Sequence, residues 1–379
     1  MSFFDQNRTA LENFRRVSSS VGARADYVQG GGGNTSVKLE GGLMAIKASG
    51  YCLKDIDIDK AYAVLDYAAL RAFYNETDPK SLADVEKTGS EHAKAAVKAI
   101  EGLAQLRPSV EAGFHSLLDR YVAHSHSVYA NLATCAEDGR EMVEKALADA
   151  DYSWGFVPYT DPGARLTFSI RDELARVEKA TGKRPAAIFM QNHGLIAHHD
   201  DPDECLRIHT NVNDRIARAF GVENGDFPKV SVHEIEGGLV EADSPLLSKC
   251  LKSGVYTEKF LLESPLYPDQ LVFLTGSFRF GTHPDEGMCA ADPETGRVVF
   301  AMPAAKAQII AETLTCVVYI AETLKKSGHA LSTMDEAARA FIANWESEKY
   351  RKSLAGKKEF EKSGVRFSLR TPLLKWSAI

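Results

Sequence analysis

Five apolar residues in a row, Ala186-Ala187-Ile188-Phe189-Met190, break off at Gln191-Asn192-His193-Gly194. A run this short, bounded by a turn, reads as a buried strand. Metal-binding and catalytic side chains are often found where a rigid strand opens into such a turn. A helix start follows at once, with Asp201 as N-cap and Pro202 in the first position. Its apolar stripe is Cys205, Ile208, Val212, Ile216 and Phe220, and Gly221 stops it.

The rest of the chain can be parsed in the same way. Helical spacing covers about 9–20, 83–105, 137–149 and 171–181, and Pro108 opens a short helix reaching about Leu118. Val37–Leu39 and Leu43–Lys47 read as two strands around the turn Glu40-Gly41-Gly42. Tyr121–His126 alternates like a strand. The polar, glycine-bearing segment 221–228 places a soft boundary near residue 225, giving regions 1–225 and 226–379. In the second region, Leu271–Leu274 and Val298–Phe300 read as strands and Ala304–Lys326 as a long helix closed by Gly328. The basic run Lys349, Arg351, Lys352, Lys357 and Lys358 reads as a solvated surface.

Charge and composition exclude several classes of function. A net charge of −7 with no basic stripe argues against a nucleic-acid partner. There is no run of about 18 apolar residues, so no membrane span is expected. The N-terminus lacks the apolar stretch of an export signal. The six cysteines are scattered, with no CxxC, and read as reduced thiols. A cytoplasmic protein is the expectation.

Four features carry chemistry. His124-Ser125-His126 lies on a predicted strand, where residues two apart share a face and can grip one metal ion. Alone, such a pair is equally compatible with a surface or core role. His193 sits at the strand end described above. Pro108-Ser109-Val110-Glu111 is either a helix cap with a carboxylate in its first turn or an anion-binding loop with a carboxylate beside a metal. Gly30–Ser36 and Ala48-Ser49-Gly50 are glycine-bearing loops whose backbone N–H groups could cradle an anion. They match neither a Walker A loop nor a dinucleotide fingerprint.

In order along the chain, Gly33-Asn34-Thr35-Ser36, Ser49-Gly50, Ser109-Val110-Glu111, His124-Ser125-His126 and Asn192-His193-Gly194 resemble the class II aldolase/adducin family over roughly residues 10 to 225. That family includes fuculose-phosphate and rhamnulose-phosphate aldolases and ribulose-phosphate 4-epimerase. The resemblance implies a three-layer αβα fold with a mainly antiparallel central sheet, followed here by a C-terminal α/β extension. It implies one divalent ion, zinc first and manganese or cobalt as alternatives, on His124, His126 and His193. Glu111 matches the catalytic carboxylate, and Asn34, Ser49, Gly50 and Ser109 match the phosphate-binding positions. A small phosphorylated sugar and a homotetramer are the implied partners.

The sequence departs from the family pattern in places. Val110 stands where several members have a second serine, and the stretch from Glu111 to His124 is short. The long form, with Tyr267-Pro268-Asp269-Gln270 and the phrase Asn344–Tyr350, looks like the aldolase portion of bifunctional rhamnulose-phosphate aldolase/alcohol dehydrogenase proteins. Their dehydrogenase half is not expected in this chain.

The expected activity is cleavage or formation of a carbon–carbon bond in a phosphorylated ketose, with Glu111 as acid/base and the metal offsetting the negative charge of an enediolate. Three imidazoles with an open position suit a catalytic ion. The alternatives are a sugar-phosphate 4-epimerase or dehydratase on the same site, or a non-catalytic adducin-like assembly module. An unrelated metallohydrolase is disfavoured because Ser127-Val128-Tyr129 follows His126. Tyr129 and Tyr159 are unsupported guesses for the proton donor. His92 and His115 are expected to face solvent or a helix contact, and His198 and His199 to lie in a loop. His209 and His233 carry no motif.

Overall fold

The computed structural model describes residues 2–344; the basic run from Lys349 and the stretch Trp345–Tyr350 lie outside them. Eight strands form the central sheet: β1 Asn34–Lys38, β2 Leu43–Lys47, β3 Tyr62–Asp66, β4 Val97–Lys98, β5 Tyr121–Ser125, β6 Ser153–Val157, β7 Pro185–Met190 and β8 Gly194–His199. Their order is β4-β3-β2-β1-β5-β8-β7-β6. Every neighbouring pair is antiparallel except β6 with β7.

Alternation along the strands sorts their side chains into two cores. Val37, Ala45, Ala123, Ala187 and Ala197 join one cluster with the helices Arg8–Gly22 and Pro202–Ala219. Met44, Ile46, Val122, Ile188 and Ile196 join the other with the helices Tyr67–Glu76 and Ala164–Thr181. Helices therefore cover both faces, which makes the three-layer αβα arrangement with a mainly antiparallel sheet.

A second sheet of five strands follows: β9 Ser231–Ile235, β10 Leu239–Asp243, β11 Phe278–Phe280, β12 Cys289–Ala291 and β13 Val298–Phe300, in the order β11-β12-β13-β10-β9. The helix Ala304–Ser327 packs on β9 and β10 and against the helix Val128–Thr134 of the first region. Among the described residues it is the one helix with the length and apolarity of a membrane span, and 67% of that window is buried in the core. Leu314, Val317 and Ile320 share one hydrophobic cluster with Phe14, Leu132 and Val212.

Several sequence expectations change. The helix foreseen over 83–105 ends at Ala95, and Val97–Lys98 pairs with β3 instead. Strand β1 begins at Asn34, not Val37, because the polar Asn34-Thr35-Ser36 pairs with β5. Leu271–Leu274 is the end of a helix, Pro268–Leu274, rather than a strand. Proline at the first helical position is compatible with a helix start, and four consecutive apolar residues carry no period to separate the two forms. His198 and His199 lie on β8, not in a loop; His198 is fully buried against Asp119, with Nδ1 2.8 Å from Oδ2. All six cysteines are free thiols.

Candidate metal centre

Strand pairing puts Asn34 opposite His124 across β1 and β5, and His124 opposite Ile196 across β5 and β8. His126 follows the end of β5, and His193 sits in the turn between β7 and β8. That turn is tight: Asn192 has a left-handed φ of 50°. A Cβ at Gly194 would stand 2.3 Å from the Ser125 carbonyl oxygen, so only glycine lets the turn close against β5. The three imidazoles thereby meet at the end of the sheet. Each offers a ring nitrogen within 4.8 Å of the others, and all three are buried.

Hydrogen bonds decide which nitrogens face inward. His124 Nδ1 lies 3.0 Å from the Leu195 carbonyl oxygen, and His126 Nδ1 lies 2.6 Å from Asp269 Oδ2. A carbonyl or carboxylate oxygen accepts, so each Nδ1 donates and each Nε2 is the nitrogen turned inward. Those two Nε2 atoms are 3.2 Å apart. A proton shared as a hydrogen bond, or a metal ion bound by both nitrogens, suits that distance.

Glu111 completes the group. Its Oε1 is 3.2 Å from His193 Nε2 and its Oε2 is 3.5 Å from His124 Nε2. Atoms held ~2.0–2.1 Å from one zinc ion at tetrahedral angles are ~3.3 Å from one another. The spacing of the donor set thus fits a single divalent ion. Burial opposes ionisation of Glu111, but His124, His193 and His126 outweigh it and hold the carboxyl well below its usual range. Burial pushes the His124 imidazole down to about 3, against the pull of Glu111. A carboxylate anion beside a neutral imidazole is the protonation state that metal ligation requires.

A buried polar chain fixes Glu111 from behind. Asn34 Nδ2 donates to Glu111 Oε2 at 2.5 Å and to Ser109 Oγ at 3.1 Å. The Asn34 carbonyl oxygen accepts from His115 Nε2, whose Nδ1 is 2.7 Å from Ser36 Oγ. His115, expected at a surface or helix contact, is fully buried instead. Burial, followed by the charge of Lys38, holds its imidazole well below its usual range, so it stays neutral. Nothing in the spacing from Asn34 to His115 announces this contact; the helix Ala112–Leu117, set against β1, creates it.

The four phosphate-matching residues are brought close as well. Ala48 bridges Pro108, the Ser49 N–H donates to the Arg107 carbonyl, and the Ser109 N–H donates to the Lys47 carbonyl. Gly50 takes a φ of 84°. Lys47, buried and not singled out by sequence, donates through Nζ to the carbonyls of Gly31 at 2.6 Å and Tyr51 at 2.9 Å. Its ammonium ties the two glycine loops together. Tyr129 is spoken for elsewhere: its hydroxyl accepts from the N–H groups of Gly225 and Phe227. Tyr159 hydrogen-bonds Asp161.

The model of the class II aldolase and adducin N-terminal domain matches residues 16–218, more than half of the chain. The chain belongs to the class II aldolase and adducin family. Solved structures also resemble more than half of the chain. The N-terminal class II aldolase domain of a conserved Thermoplasma acidophilum protein shares 23% identity over 55% of this chain and 92% of its own, with a TM-score of 0.45. An L-fuculose 1-phosphate aldolase shares 17% over 58% and 89%, with a TM-score of 0.35. A sugar-phosphate aldolase from Thermotoga maritima shares 14% over 57% and 98%, with a TM-score of 0.37. Comparison with curated proteins returns no match. Class II aldolases use a divalent metal, and the buried His124, His126 and His193 could bind one.

Proposed function

We propose that the protein is a metal-dependent class II aldehyde-lyase that breaks or forms a carbon–carbon bond in a phosphorylated ketose. The observation that carries this reading is the convergence of buried ring nitrogens of His124, His126 and His193 within 4.8 Å of one another, with the anionic Glu111 beside them. A divalent ion on the three histidines, zinc by preference and manganese or cobalt as substitutes, would supply a Lewis acid for the charge that cleavage leaves on the ketose fragment.

The chain's own residues do the rest. Glu111 takes a proton from the substrate carbon in condensation and returns it in cleavage, a role worth roughly 10²–10⁴-fold. Asn34, pinned by His115, holds that carboxylate in position. Ser49, Gly50 and Ser109, together with Asn34, receive the phosphate. Residues 1–225 form the metal-dependent domain and 226–379 an extension. The reading includes a cytoplasmic homotetramer with a small phosphorylated sugar as its partner.

The test begins with elemental analysis of protein purified without added metal, for the natural chain and His126→Ala. About one zinc, manganese or cobalt per chain, lost in the variant, is expected. Ketose 1-phosphates are then screened with an aldehyde trap. Release of a trapped aldehyde with dihydroxyacetone phosphate marks an aldolase. Inverted substrate with nothing trapped would replace it with an epimerase, and a natural chain that takes up no metal would leave the assembly module.

A further inference from the structure

Three observations place the C-terminal region against the donor set. The first is Asp269, second residue of the helix Pro268–Leu274. It is fully buried and its Oδ2 meets His126 Nδ1 at 2.6 Å. The glycine loop closes over this bond. A Cβ at Gly32 would lie 2.3 Å from Asp269 Oδ2 and 3.1 Å from His126 Nδ1, so no larger residue fits there.

The second is the anchoring of Asn192, the residue before His193. Its Nδ2 donates to the carbonyls of Leu266 and Ser332, both at 2.9 Å, and its Oδ1 accepts from Ser332 Oγ at 3.1 Å. A left-handed asparagine is thus held by two stretches of chain that lie beyond the family-matched residues. The third is the rigidity of those stretches. The Leu266 N–H donates to Gln270 Oε1, Gln270 Nε2 donates to the Leu261 carbonyl, and the Met334 N–H donates to the Pro265 carbonyl.

We infer that Asp269, with Leu266 and Ser332 acting through Asn192, is an outer layer of the metal centre that sets how tightly the ion is held. Asp269 is a positioning residue. Accepting from Nδ1 turns the His126 Nε2 lone pair toward the ion and makes that imidazole a better donor. Outer partners of this kind are worth about 10–100-fold in metal affinity. The C-terminal region is therefore a working part of the site rather than an appendage. The inference rests on the metal reading above.

The experiment titrates the full chain with zinc in competition with a chromophoric chelator, for the natural chain, Asp269→Asn and Ser332→Ala, alongside thermal midpoints of the metal-free forms. The expected result is one zinc per natural chain and affinity about 10–100-fold weaker in Asp269→Asn at an unchanged metal-free midpoint. Ser332→Ala, which removes one bond to Asn192, is expected to weaken binding by about two- to tenfold. A natural chain that binds zinc while both variants bind it equally well would overturn the inference alone. A natural chain that takes no zinc would overturn the metal reading and this inference together. Should Asp269→Asn fail to fold, Ser332→Ala decides: unchanged affinity overturns the inference.

Discussion

The chain makes the same hairpin twice and uses it in two different ways. Strands β1 and β2 turn through Glu40-Gly41-Gly42 before Leu43, and β9 and β10 turn through Glu236-Gly237-Gly238 before Leu239. The glycines take φ of 72° and 74° in the first turn and 80° and 72° in the second. Four residues and a backbone form are repeated, yet the surroundings are opposite. The first hairpin is in mid-sheet and almost wholly buried, and it supplies Asn34, Lys38 and Lys47 to buried polar contacts. The second has an exposed edge strand at β9 and carries ordinary surface pairs such as Glu241 with Arg297 at 2.7 Å. Local chemistry makes a turn; the layers packed on it decide whether its strands carry function.

The largest expected effect sets the chemistry of the two regions apart. Glu111→Gln, beside the first hairpin, should lower aldehyde release by about 10²–10⁴-fold, whereas Glu241→Gln on the second should leave turnover within about twofold. Equal losses would erase the contrast. Next comes stability at the last residue of each second strand. Lys47→Met leaves the carbonyls of Gly31 and Tyr51 without their ammonium and should cost about 2–4 kcal/mol in urea unfolding. The matching Asp243→Ala, at an exposed position, should stay within about 0.5 kcal/mol.

A smaller effect concerns pH. Burial would raise the Asp119 carboxyl, but the bond and charge of His198 outweigh it and lower its pKa to about 2. A depressed carboxylate stabilises the fold above its unfolded pKa of ~3.9 and loses that contribution as pH falls toward 2. Asp119→Asn should therefore cost at most about 2 kcal/mol at neutral pH, after allowance for its partial exposure, and nothing below pH ~2. Acid titrations followed by circular dichroism check this; a cost that persists at pH 2 would point to packing instead. The smallest effect should be the same in both hairpins. Gly41→Ala and Gly237→Ala meet no atom within 4 Å, so each should cost only the left-handed backbone term, about 1 kcal/mol. Thermal midpoints that differ between the two variants would show that the turns are not equivalent.

Much of the candidate site was legible because short phrases name its residues. His124, His126, His193 and Glu111 could be named from short phrases, and strand alternation was enough to place the first two side by side. The apolar runs and capping residues located half of the described α-helices, down to Gly328 closing Ala304–Ser327 with φ of 81°. Legibility failed where a segment had no period of its own. Leu271–Leu274 could equally be strand or helix, and His115 shows no sign of facing inward until the helix Ala112–Leu117 lies under β1.

Asp269 marks the limit most clearly. The phrase Tyr267-Pro268-Asp269-Gln270 was recognisable as a likeness, but no rule of spacing joins it to His126, 143 positions away. By itself the sequence determined the types of element, the turns that glycine and proline force, and the residues able to ligate a metal. Those depend on interactions between near neighbours in the chain, which a sequence displays. The tertiary structure alone decided that the Nε2 atoms of His124 and His126 would meet, that Asn34 and His115 would hold Glu111, and that the distant Asp269 would bond to His126. Such contacts arise from the packing of layers, where a hydrogen bond depends on position in space and is blind to separation along the chain.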